Sequence, residues 1–189
     1  NLDEAGLLAE VSSNVEDAAS LIDGYRRIRA GRGDSTDPTS LFAAIETDRK
    51  MRMPAIDLAE ALAARGESSH HYIFGHESPW EGGRLGSPHA IIIGFVFGTH
   101  AMSEESTAFF GAGEEADAVS AHLRDAFCSL ARTGSPRTDA MRDWEPYDAQ
   151  MRSTGIFVDP VEVVSAPYDE ERALWAGREV SLPFGPSRW

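Results

Sequence analysis

The chain has 189 residues, 42% of them apolar and 25% charged, the make-up of one ordinary globular domain rather than a disordered segment. Its 17 basic against 31 acidic residues leave a formal net charge of −14, which repels polyanions and excludes nucleic acid and anionic membrane surfaces as partners. The lone Cys128 closes no intrachain disulfide, and the longest apolar run, residues 90–98, is half of a bilayer span, so no membrane span is expected. No basic-then-apolar leader opens the chain, which favours the cytoplasm only if Asn1 is a true start, so the compartment stays open.

Helical spacing predicts a first helix over residues 14–30. Ser13 and Glu16 form a capping-box pattern, Gly31 is the stop, and Ala18, Leu21, Ile22, Tyr25 and Ile28 share one face. After a turn-rich stretch, Asp37 and Pro38 read as N-cap and first position of a short helix to about Ile45. Residues 55–65 form another helix, ended by Gly66. The aromatic and β-branched segment 71–74 is a strand, and 75–88 is a loop dense in Gly and Pro. Residues 90–97 are apolar on every side, so strand and buried helical turn both remain open there. Residues 114–132 form a helix with Val119, Leu123, Phe127 and Leu130 inward and Gly134 as terminator. Residues 154–158 form a strand, and a short helical stretch lies around 170–176.

Two or three strands separated by helices need parallel neighbours, and such a sheet must be covered on both faces. The chain does not supply enough strands to complete one, nor cover for residues 91–97, so it reads as part of a larger fold.

His89 sits between the Gly/Pro loop and the apolar run, where a general base could be presented on a rigid foundation; packing alone is the competing reading. His70, His71 and His76 with Glu77 match no zinc spacing, so no metal or other cofactor is expected. His100 and His122 read as surface positions, and Cys128 as a buried small hydrophobe. Residues 66–70 begin like a serine elbow but lack its final glycine and follow a helix, so no nucleophile is found. Asp3 and Glu4 alone read as an ordinary helix start.

Five ordered segments nevertheless resemble the carboxylesterase type B (cholinesterase-like) family of α/β-hydrolases. Residues 1–5 are similar to its N-x-D-E-G motif, with Ala5 where the family has glycine. Residues 47–54 match T-D-R-x-x-x-x-P, 86–89 match G-x-x-H and 95–98 match F-V-F-G. Residues 131–136 match A-R-T-G-x-P, and 144–148 match W-x-P-Y-D. Each motif is weak alone; the ordered set, with Glu4 and His89 85 positions apart, is specific.

The resemblance implies an α/β fold, the chain being the C-terminal portion of a single α/β-hydrolase domain whose sheet is completed upstream. It implies a carboxylic-ester hydrolase with a Ser-Glu-His triad, Glu4 as acid and His89 as base. In family order the serine and oxyanion loop precede both, so they belong to an N-terminal part of the same enzyme outside this chain, which also removes any force from the missing leader. It places Leu7, Leu8, Ile91 and Phe95, with Trp80, against a small apolar ester. The same family includes adhesion proteins that have lost triad residues; the presence of both Glu4 and His89 speaks against that alternative.

Overall fold

The computed structural model describes residues 2–178. They form two compact units, one made of the residues up to Ala61 together with those from Tyr168 onward, the other of Leu62–Pro167. Among the described residues no helix is long and apolar enough to cross a membrane.

The first unit is helical. Helix α1, Glu4–Ser12, starts where the Asp3 carboxylate accepts the Gly6 amide at 2.7 Å, and it buries Leu7 and Val11 one turn apart. Helix α2 spans Ala18–Arg32, so the helix expected over 14–30 begins four residues later, and the residues before it belong to a separate helix and its exit. Ser13 is no N-cap: its hydroxyl donates back to the Glu10 carbonyl at 2.7 Å, as the C-cap of α1. The five residues expected on the inner face of α2 are all buried, and Gly33, at φ +84°, rather than Gly31, ends the helix.

Helix α3, Pro38–Thr47, is capped as expected, Asp37 accepting the Thr39 and Ser40 amides at 3.0 and 3.1 Å. A π-helical turn, Asp48–Arg52, carries the chain without interruption into α4, Met53–Ala64. The turn buries Asp48 and Arg49 of the pattern at 47–54. Buried Asp48 takes both Arg52 Nε and Nη2 at 2.6 Å and also accepts the Tyr25 hydroxyl, which in turn accepts Trp175 Nε1 at 2.6 Å. Burial, and then the Asp48 charge, push the Tyr25 phenol far above its ordinary range, so it remains a proton donor. Trp175 follows the short helix α8, Asp169–Leu174, whose Leu174 methyls fill the space where a side chain on Gly24 would stand.

In the second unit, strand β1, His71–Phe74, runs parallel to β2, Ser153–Phe157, with His71 opposite Thr154 and Phe74 opposite Phe157. A third strand, β3, Glu162–Ser165, which the alternation did not reveal, pairs antiparallel to β2. The expectation of purely parallel neighbours is therefore corrected: β3 returns beside β2 as the second arm of a hairpin, and the order is β1-β2-β3.

Residues 90–97 settle as helix, with α5 at Ile92–Val96. The run is not uniformly buried: Ile91 and Phe95 point into the core while Ile93 and Phe97 are 53% and 73% exposed. A further unpredicted helix, α6, Glu104–Phe110, opens with a reciprocal Ser103–Ser106 capping box. The long helix α7, Glu114–Thr133, begins and ends as expected. Its inner face is Ala116, Val119, Leu123 and Ala126, packed with Ile91, Phe95, Met141, Trp144 and Phe157. Phe127 and Leu130 are corrected to half-exposed positions: the arc rotates by one residue in the second half, Ala126 turns inward, and Phe127 meets Tyr72 edge-on. Cys128, one position further round, is exposed rather than buried. Gly155 fits beneath Met141 and Trp144, where a Cβ would stand 2.8 Å from each.

Candidate active site

Glu4 is the first helical residue of α1. Asp3 is spent on capping, which leaves Glu4 as the carboxylate available at this helix start. Its side chain is 65% exposed, and Oε2 accepts Arg26 Nη2 from α2 at 2.7 Å. The glycine that the family carries directly after its acid is displaced to Gly6 here, and a Cβ there would press on Leu2 and Asp3 at 3.1 and 3.2 Å.

His89 lies in the other unit, on the turn that joins the 75–88 loop to α5. That loop is not slack. Ser78 closes it by donating its amide to the Gly86 carbonyl at 2.8 Å, and its wholly buried hydroxyl donates to Phe109 O at 2.5 Å. Ser87, two residues before His89, donates its hydroxyl to Phe74 O at the end of β1, at 3.1 Å. On the other side the Ile91 amide donates to Pro88 O at 3.1 Å, closing the turn around His89, and Ala90 takes φ +69°. A non-glycine residue pays for that conformation, and such outliers gather at functional sites. His89 is exposed, and among the described residues none hydrogen-bonds its imidazole. Neither serine's role as a loop pin leaves a motif in the sequence, since both partners are backbone carbonyls distant along the chain.

The expected lining residues divide in two. Leu7, Ile91 and Phe95 are buried in the cores of their own units, whereas Leu8 and Trp80 are 44% and 43% exposed. Trp80 opens a short 3₁₀ turn, Trp80–Gly83, inside the loop before His89. A groove of about 360 Å³ bordered by Met141, Glu145, Asp148, Met151 and Ser153 includes none of the expected site residues.

Four further histidines are engaged elsewhere. His71 Nδ1 lies 3.4 Å from Thr154 Oγ1, His76 Nε2 lies 2.9 Å from Phe110 O, and His70 packs edge-on against Trp144. Among the described residues no group of three His, Cys, Asp or Glu side chains is arranged to hold a metal ion. His100 is not a surface residue, contrary to expectation. It is 5% exposed, stacks on Phe95 and pairs with Asp117, because the chain after Gly98 folds back over α7.

The chain belongs to the Carboxylesterase family, whose sequence profile matches residues 6–175; His89 lies within that span and Glu4 just before it. Its structure resembles the Geobacillus stearothermophilus carboxylesterase EST55 at 27% identity and a TM-score of 0.74, over 92% of this chain and 35% of that one. An esterase of Clostridium hathewayi that can hydrolyze aliphatic aromatic polyesters shares the fold at 21% identity and TM-score 0.63, over 93% of this chain and 33% of that one. A PNB esterase does so at 20% identity and TM-score 0.62, over 85% and 34%. The chain thus spans about a third of the length of these solved enzymes, and its helices and small mixed sheet are part of an α/β-hydrolase fold.

Proposed function

We propose that this chain is the acid- and histidine-bearing part of a carboxylic-ester hydrolase, with the serine and the oxyanion loop contributed by an N-terminal part of the same enzyme. The observation that carries the reading is the exposed His89 on a pinned turn, inside a segment that belongs to the Carboxylesterase family. The strained Ala90 beside it and the capping role of Asp3, which frees Glu4, add support.

In this reading His89 removes the serine proton as the hydroxyl attacks the ester carbonyl, then returns it to the departing alkoxide. Water, deprotonated by the same imidazole, clears the acyl-enzyme and restores the serine. The acid of the triad in this reading is Glu4, whose role is to hold the imidazole tautomer and stabilise the imidazolium. Of the expected lining, Leu8 and Trp80 are the members exposed enough to meet an ester, while Leu7, Ile91 and Phe95 lie in the cores of their own units. Such a lining favours a small alkyl or aryl ester over a cationic one, which calls for an aromatic cage.

The test is turnover of p-nitrophenyl butyrate by the complete enzyme. His89→Ala lowers kcat about a thousandfold or more, Glu4→Gln is also damaging, and Asp3→Asn is mild. Near-wild-type turnover by His89→Ala would end the assignment, and a reversed ranking of the two carboxylates would move the acid to Asp3.

A further inference from the structure

A second imidazole, His100, is buried in the same unit and has no part in that chemistry. Its ring lies over Phe95 with centroids 5.0 Å apart and planes 8° from parallel. Nε2 is 2.9 Å from Asp117 Oδ1, in the first turn of α7, while Nδ1 is buried with no hydrogen-bond partner among the described residues. The neutral tautomer that donates from Nε2 is the one that leaves no N–H unpaired.

Phe95 is wholly buried and receives the Ser120 hydroxyl on its carbonyl at 2.8 Å; Gly94, beside it, admits the Phe110 ring, which a Cβ would meet at 2.8 Å. These contacts matter because α5 has five residues, far too few to hold a helix by its own hydrogen bonds. The His89 turn hangs directly from this helix, so the packing of Phe95 sets where the turn stands.

We propose that the His100–Asp117 pair is a positioning device for His89, an inference that rests on His89 being the base. The hydrogen bond holds the imidazole flat on Phe95, Phe95 fixes α5, and α5 fixes the turn. Asp117 is 68% exposed, so the pair contributes little to global stability. A base displaced by about 1 Å, in contrast, can cost up to a hundredfold in rate. The pair therefore reports in kcat rather than in unfolding.

The experiment compares Asp117→Ala, Asp117→Asn and His89→Ala in the complete enzyme, with p-nitrophenyl butyrate as probe and a thermal melt of each. Asp117→Ala should lower kcat about tenfold with KM within about twofold and the melt nearly unmoved. Asp117→Asn, whose amide oxygen still accepts from Nε2, should retain wild-type kcat. With His89→Ala inactive, an unchanged kcat in Asp117→Ala, a loss confined to KM or to the melt, or an Asn variant as impaired as the Ala variant overturns the positioning role alone. Wild-type turnover by His89→Ala overturns the base assignment and this role with it.

Discussion

Single residues gain their meaning here from what surrounds them, and His70 is the clearest instance. Burial, reinforced by the Arg137 charge and opposed by Glu145, holds its pKa below the ordinary imidazole value, and its Nε2 is buried without a hydrogen-bond partner. As pH falls through about 6.5 the unfolded chain takes up a proton that the folded protein refuses, so stability declines from there until the lower folded pKa is reached. His70→Gln should flatten that part of the profile, which urea midpoints of the complete enzyme at pH 7.5 and 5.5 would reveal; an equal acid slope in both proteins would contradict it. Legibility at this scale was uneven. Asp37 and Gly134 carry local signals and behave as those signals imply. His100 does not, because its partners Phe95 and Asp117 become neighbours only when the chain after Gly98 turns back.

Among the elements, α3 owes most to local chemistry. Hydrogen bonds from the Ser35 and Ser40 hydroxyls, and from the Ser40 and Thr39 amides, hold the Asp37 carboxyl well below the usual carboxylate range. Replacing Asp37 with Ala should cost about 1 kcal/mol, and the wild-type advantage should be full above about pH 4 and fade below it, where the unfolded carboxyl takes up protons before the folded cap does. Chemical denaturation at pH 7 and pH 3 measures both. Other elements were hidden for identifiable reasons. Strand β3 has only Val163 and Val164 between polar ends, so it is visible only once β2 offers a partner. Residues 90–97 could not choose between strand and helix by pattern, since every position is apolar or glycine; packing of Ile91 and Phe95 on one face of a short helix decides it. In α7 the ends and the first half of the face, Val119 and Leu123, were legible; the second half was not, because Ala126 competes with Phe127 for the interior and the smaller side chain fits.

The ordered motifs identified the family at the scale of the whole molecule, although the division into two units left no trace in composition. Family membership together with coverage of about a third of the solved relatives carries a physical consequence. Met51, Leu58, Ile93, Phe97 and Met102 are each more than half exposed, and among the described residues no strand pairs with the outer edge of β1. Produced by itself, the 189-residue chain should therefore self-associate, bind an apolar dye and leave p-nitrophenyl butyrate intact. A monomer by light scattering with one sharp melt would count against this.

The bond from Trp175 to Tyr25 joins positions at opposite ends of the described chain, with the whole of the second unit between them. Synthesis on a ribosome proceeds from one end to the other, so the first helices emerge long before the indole that completes their core. Residues 62–167 can collapse as a continuous stretch during that interval. The helical unit stays incomplete until the turn after α8 arrives to supply that indole donor.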